Sequence, residues 1–309
     1  MGETPAGQAS GIINFNKPRG RTSFSVIGPV RGGTGQRRVG HAGTLDPLAE
    51  GVLLVCVGAA ARVTEYLMDL PKTYRATVRL GIETDTYDAE GEVVATRDVD
   101  VSEEAVREAL SVFVGEIEQR PPAHSAVKVA GKPAYERARK GEDVELRPRR
   151  VQVYRIDVLR FAPPDVEIEV ECGRGTYVRS LAHDLGRALG CGAHLSALMR
   201  TRVGPFRVED AVDEAALETA FADGTWHELL QPIDCALLHL PALTVPIEDE
   251  KDIRHGQPAH IDDASALQSA GPLSDGLQAR AYAEDGSLIG ILRYEAATGN
   301  WHPHKIFPA

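Results

Sequence analysis

Two runs, VQVYRIDVLRF (151–161) and DVEIEVEC (165–172), joined by Ala-Pro-Pro, carry the reading of the fold. In the second run Val166, Ile168 and Val170 alternate with three glutamates, so one face is apolar and the other is wet. A period of two, interrupted by prolines, predicts an antiparallel hairpin with one solvated side. KTYRATVRL (72–80) alternates in the same way, and GIINF (11–15) reads as a first strand. VLLVCV (52–57) is a continuous apolar strand in which Cys56 sits as a buried thiol would. Between the strands, AARVTEYLM (60–68) has helical spacing and SEEAVREALSVF (102–113) has a serine cap followed by two glutamates that suit the helix dipole. TYVRSLAHDLGRALG (176–190) is an amphipathic helix closed by Gly190. Strands and hairpins follow one another without regular alternation with helices. That order predicts an α+β domain on a mostly antiparallel, mixed β-sheet flanked by helices.

Outward from this core the character changes. GKPAYERARKGE (131–142) reads as a short polar helix inserted into the domain, with Pro133 near its start and Gly141 past its end. VEDAVDEAALETAFADG (208–224) is an acidic helix leading to the proline-punctuated LHLPALTVP (238–246). ARAYAEDGSLIGILRYE (279–295) reads as two strands around an Asp-Gly turn. The expected organisation is a short disordered leader (1–10), a main domain (11–236) with an insertion at about 121–148, and a small β-rich domain (237–309).

The chain has 309 residues, 43% of them hydrophobic and 26% charged, which suits about two globular domains. It has no apolar run long enough to span a bilayer and no basic, apolar leader, so the cytoplasm is the expected location. Four scattered cysteines without a C-x-x-C pair fit neither a disulfide framework nor a zinc site, and no metal is expected. The net charge of −11 argues against a polyanionic partner until its distribution is read. Residues 11–62 hold seven Lys/Arg against two Asp/Glu, 119–150 nine against four, and 172–207 six against Asp184 alone; each balances at +5. Residues 208–309 balance at −13. An acidic mean therefore hides three basic blocks able to face a polyanion.

The densest candidate for chemistry is RGGTGQRRVGHAGTLDPLAEGVL (31–53), with six glycines and a single His and Asp. It lacks the phosphate-loop pattern, and Gly33-x-Gly35 is not followed by a glycine at 38, which disfavours nucleotide cofactors. Asp46 before Pro47 is either a turn residue or a loop carboxylate where glycines permit close approach of a ligand. A carboxylate enzyme of another kind, such as a glycosidase, would need a second positioned acid. Glu50, the only other acid in this stretch, has no assigned partner role.

GHAGTLDPLAEGVL (40–53) resembles the catalytic motif of the TruB family of tRNA pseudouridine synthases. GIINFNKPRGRTS (11–23) resembles the family's opening, and KTYRATVRLGIETDTYDAEGEV (72–93) its Lys-x-Tyr strand and Thr-Asp-Thr-x-Asp segment. PPAHSAVKVAGKPAYERARKGE (121–142) resembles the thumb insertion, and CGRGTYVRSLAHDLGRALGCGAHLSALMRTRVGPF (172–206) the last catalytic block. The resemblance implies the pseudouridine synthase fold with a C-terminal PUA-like RNA-binding domain. It also implies isomerisation of uridine 55 in the tRNA T-loop after base flipping.

Carried over by motif, Asp46 is the nucleophile, His41 helps extrude the base, and Tyr74 lies against the uracil. Tyr177 and Arg179 form the Tyr-x-Arg pair whose arginine meets the carboxylate, and Leu198 is the opposing apolar wall. Lys17 and Lys128 match basic positions. The implied partner is tRNA through its T-arm, with neither membrane nor cofactor, and a monomer is expected. The isomerisation has no redox step and no energy input, so no cofactor is needed; the carboxylate can attack the ribose C1′ or the base C6, or stabilise a cleaved intermediate. A scaffold of this kind that binds RNA without catalysis is the competing reading, and the intact Asp46, Tyr74 and Arg179 argue against it. His124, His183 and His194 are read as packing or surface residues.

Overall fold

A computed structural model describes residues 9–125, 128–129, 132–134, 137, 142, 146–261 and 273–308. Ten strands form one sheet: β1 (Gly11–Lys17), β2 (Val39–Ala42), β3 (Glu50–Val57) and β4 (Lys72–Leu80), with two short strands, β5 (Ile82–Thr84) and β6 (Val93–Thr96), pairing separately. The sheet continues with β7 (Gly115–Gln119), and β8 (Lys128–Val129) and β9 (Lys132–Pro133) make a small hairpin outside it. Then follow β10 (Arg149–Ala162), β11 (Asp165–Cys172), β12 (Ala193–Val203), β13 (Phe206–Arg207) and β14 (Leu230–Gln231). The main order is β14-β1-β3-β12-β4-β11-β10-β7, with β13 on β12 and β2 on β3.

Every pairing in this sheet is antiparallel except β12 with β3, where Met199 faces Glu50 and Arg200 faces Gly51. That parallel contact makes the sheet mixed, as the sequence reading expects. The β10–β11 hairpin is in the expected place, and its wet face is laced by Arg155 to Glu169 and Arg160 to Glu167.

Both faces of the central strands are buried, which explains the unbroken apolar run at 52–57. On one face Leu53, Val55 and Val57 join Ala76, Val78 and Leu80 of β4 and Val166, Ile168 and Val170 of β11. Helices α1 (Ser23–Thr34), α3 (Glu103–Ser111), α4 (Val178–Ala188) and α5 (Glu214–Asp223) contribute buried residues to this core. Helix α1 runs through Pro29, whose exposed ring faces solvent while Val26, Ile27 and Val30 pack inward. The apolar stretch 60–68 is not one helix. It divides into a 3-10 turn (Gly58–Val63) and α2 (Thr64–Asp69).

On the other face Val52, Leu54 and Cys56 pack with Ile12, Leu67, Val203 and Phe206, and also with Leu237, Ile291 and Phe307. The C-terminal unit is a four-stranded sheet, β15 (Ala242–Thr244), β16 (Gln278–Tyr282), β17 (Leu288–Glu295) and β18 (Asn300–Ile306), with α6 (Ile247–Arg254) against it. It has its own core around Trp301, and it also completes the second core of the main sheet. Polar contacts tie it down further: the Tyr66 hydroxyl donates to Gln278 Oε1 at 2.8 Å, and Lys305 pairs with Glu65. The proposed leader falls largely outside the described residues, as does much of the 121–148 insertion. Among the described residues no helix is long and apolar enough to cross a membrane.

Because Phe307 closes a core built mainly from the main domain, Phe307→Ala is expected to cost about 3 kcal/mol. Urea denaturation followed by far-ultraviolet dichroism should show one cooperative transition, shifted as a whole. Two separate transitions, with the first unmoved, would refute the shared core.

Candidate active site

The loop carrying Asp46 lies between β2 and β3 and is held on every side. The Ser23 hydroxyl accepts from the Leu45 amide at 2.8 Å and donates to the Leu45 carbonyl at 3.0 Å. The Gly20 amide donates to Pro47 O at 2.8 Å. Arg200, 1% exposed, reaches beneath from β12: its Nε donates to Val52 O at 2.7 Å and its Nη2 to Gly43 O at 2.8 Å. Gly51 has φ of 98°, and a Cβ there would lie 2.3 Å from Arg200 O, so only glycine fits this crossing.

The loop opens into a cleft of about 450 Å³ lined by Asp46, Tyr74, Tyr177, Arg179 and Leu198. Arg179, in the first turn of α4, places Nε 3.0 Å from Asp46 Oδ2 and Nη1 3.2 Å from Asp88 Oδ2. Its remaining donors go to Thr86 O at 3.2 Å and His124 O at 2.9 Å. The guanidinium is buried between two carboxylates, while the Asp46 side chain keeps 40% of its surface open to the cleft. Burial raises the Asp46 carboxyl above its ordinary value, and the Arg179 charge opposes that rise.

The start of α4 is fixed by Gln119, whose side-chain amide donates to Tyr177 O at 3.0 Å and accepts from Tyr177 N at 2.7 Å. Tyr74 belongs to the inward face of β4 and packs against the main core, with burial raising its hydroxyl. Leu198 is 9% exposed on the adjacent β12.

The structure thus gathers Asp46, Tyr74, Tyr177, Arg179 and Leu198 at one cleft. His41 and Lys17 lie outside its lining. His41 is half-buried on β2, with Nδ1 lacking a hydrogen-bond partner and its basicity lowered by burial. Lys17 is fully buried and donates to Pro18 O at 2.9 Å and Arg21 O at 2.7 Å; burial pulls its pKa down to about 8. The side chain of Lys128 is outside the described set.

Sequence reasoning assigned no site role to Lys72, Arg149, Arg174, Arg200 or Asp88. The first four line the cleft with Arg179, so among the described residues five cations surround a single lining carboxylate, Asp46. Lys72 donates to Met68 O and to Leu70 O at 2.6 Å. Its i, i+2 spacing from Tyr74, like that of Arg200 from Leu198, was a usable signal in alternating strands. Asp88 ends the Thr-Asp-Thr-x-Asp segment, but nothing local marks its partner, which lies 91 residues away. Among the described residues no group of three His, Cys, Asp or Glu is arranged to hold a metal ion.

A half-exposed carboxylate on a buried guanidinium, facing an apolar and aromatic wall within a cationic cleft, suits an anionic polymer with a planar group. Comparisons with known proteins agree. Residues 31–178 match the TruB family pseudouridylate synthase N-terminal domain, and residues 179–238 match the tRNA pseudouridylate synthase B C-terminal domain. A protein of Dehalococcoides mccartyi named tRNA pseudouridine synthase B is 41% identical over 299 residues, covering 96% of each chain. One of that name from Thiobacillus denitrificans is 44% identical over 98% of this chain and 97% of its own. A chain of a crystal structure of a Cbf5–Nop10–Gar1 complex superposes with a TM-score of 0.72 at 29% identity, covering 95% of this chain and 81% of that one. The molecule is a uridine-isomerising enzyme of the pseudouridine synthase class. It belongs to the TruB family of tRNA pseudouridine synthases.

Arg200→Met would leave the carbonyls of Gly43 and Val52 without their donor in a buried setting, a cost of about 1–3 kcal/mol. Chemical denaturation of this variant should register that loss. A stability within 0.5 kcal/mol of the parent would show that water replaces the guanidinium there.

Proposed function

We propose that the chain converts uridine 55 of the tRNA T-loop to pseudouridine in the cytoplasm, with Asp46 as the nucleophile acting on a flipped-out nucleotide. The observation that carries this reading is the 3.0 Å pairing of Asp46 with a buried arginine at the floor of an aromatic-walled, cationic cleft. The cleft volume falls in the range that accepts a small planar ligand. A uridine stacked in an RNA loop cannot present C1′ to a carboxylate, so the nucleotide must leave the stack, at a cost of a few kcal/mol. Arg149 and Arg174 at the cleft can offset that cost through phosphate contacts.

Inside the cleft each group has a distinct task. Tyr74 and Leu198 hold the base and exclude water while the N1–C1′ bond breaks and C5–C1′ forms. Attack at C1′, attack at C6 and stabilisation of a cleaved species all require Asp46 to be ionised. Burial alone would neutralise that carboxyl, and Arg179 works against neutralisation. Asp88 compensates the second half of the guanidinium and holds it in line. The C-terminal unit, read as PUA-like, contacts the tRNA away from the reacting base.

The defining experiment incubates the full chain with unmodified tRNA and maps pseudouridine by position. Product at 55 alone supports the reading, and product elsewhere with 55 untouched overturns the site assignment. Asp46→Asn should abolish turnover while tRNA affinity stays within about tenfold, or ~1.4 kcal/mol. Turnover of that variant above background, without reversion to Asp, would exclude the nucleophile.

A pH profile supplies a further check. The ionised carboxylate exists above its pKa, so the single-turnover rate should fall as pH drops through that value. Since burial raises it, the acid limb should lie above the ordinary 3.8, and Arg179→Met should move it higher by removing the opposing charge. A limb at or below 3.8 would contradict a desolvated Asp46.

A further inference from the structure

Tyr87 is the single non-glycine residue of positive φ among those described, at 65°. L side chains resist this conformation, and such departures persist only where the surroundings enforce them. Tyr87 directly precedes Asp88, the carboxylate on the far side of Arg179. Its ring lies against the His183 imidazole, with centroids 3.9 Å apart and planes 13° from parallel. His183 stands four residues after Arg179 on α4, so both point from the same side of that helix.

Consecutive residues of the turn therefore meet consecutive turns of the helix: Asp88 takes Arg179, and Tyr87 takes His183. Other anchors of the turn leave the ring free, among them the Thr86 hydroxyl and the Glu90 amide, which donate to Asp88 Oδ1 at 2.7 and 3.0 Å. The Leu195 amide donates to Tyr87 O at 2.9 Å, the Ala89 amide to Leu195 O at 2.9 Å, and the Thr84 hydroxyl to Asp88 O at 2.7 Å. The His183 Nδ1 is buried and has no hydrogen-bond partner among the described residues, so the stacked ring face is the contact this imidazole makes with the turn.

We propose that the Tyr87–His183 stack is a positioning clamp that fixes the strained turn in register with α4. It holds Asp88 against Arg179 and thereby aims Arg179 at Asp46. Neither ring lines the cleft, so the clamp acts on turnover through Asp88 and not on RNA affinity. The proposal rests on the reading of Asp46 and Arg179 as the reacting pair, which the Asp46→Asn experiment tests by itself.

The test measures single-turnover rate and tRNA affinity on the full chain with unmodified tRNA. His183→Ala and Tyr87→Ala should each lower the rate by about tenfold with affinity within about twofold, since small misplacements at a reacting centre are costly in rate. His183→Phe and Tyr87→Phe, which retain a flat ring, should restore most of it. In an Asp88→Asn background His183→Ala should cause no further loss, because the clamp would have nothing left to position. Should His183→Ala not fold, His183→Leu, which packs without a ring plane, is read by the same criteria. Full rate in the alanine variants, a loss that adds in full to that of Asp88→Asn, or equal losses in rate and affinity would each overturn the clamp. Those outcomes leave the Asp46→Asn result intact, so failure of the clamp and failure of the nucleophile are separable.

Discussion

A guanidinium taken out of water must be neutralised, and Arg179 meets that demand with two acids, aided by two backbone carbonyls. Asp46 and Asp88 share its charge, while Nη1 donates to Thr86 O and Nη2 to His124 O. Removing any one partner leaves an expensive orphan, so the arrangement locks the Asp46 loop, the turn at 84–89, the segment at His124 and the start of α4 together. The Asp46 loop, the turn at 84–89 and the start of α4 are each braced from behind, by Ser23 and Arg200, by Leu195, and by Gln119. The carboxylate that faces the cleft is therefore held by a rigid frame, as transition-state positioning requires.

That frame stands on the sheet. The cleft lies at the end of β4 and β12, where the buried face of β4 runs out past the helices and Tyr74 and Lys72 succeed Ala76 on the same side. The parallel contact of β12 with β3 brings Arg200 under Gly51 and Gly43, which joins the loop to the strand that carries Leu198. On the opposite face the C-terminal strands supply Ile291 and Phe307 to a core that otherwise belongs to the main domain. They also grip α2, whose Met68 lines the cleft. The C-terminal unit is thus part of the structural support of the site as well as a candidate RNA-binding surface.

Charge is organised at two scales. The whole chain is acidic, yet the cleft is lined by five cations, three of them, Arg174, Arg179 and Arg200, from the block at 172–207. The block at 11–62 gives the cleft no cation, and part of its charge is used internally: Lys17 caps backbone carbonyls and Arg21 pairs with Glu214 at 3.0 Å. Block counts alone therefore overstate how much positive surface an RNA can reach.

Alternation and capping settled the local elements from sequence. The period of two at 72–80 and 165–172, the Ser102 cap and the Asp-Gly turn all act within a few residues, so their physics is contained in short segments. Asp46 and Arg179 were marked by the resemblance of their segments to a family's motifs, since local pattern by itself left Asp46 either a turn residue or a loop carboxylate. What the sequence could not supply were relations across the chain: Asp88 opposite Arg179, Arg200 beneath the loop, and Tyr87 against His183. These pairs join residues about 90 to 160 positions apart, and no periodicity encodes a contact between two segments that meet only when the sheet assembles. Lys17 shows the converse, since a residue that counts toward a basic block in a line of sequence becomes a buried donor once the chain folds around it. Local pattern decided which elements form; the tertiary structure decided which charges meet.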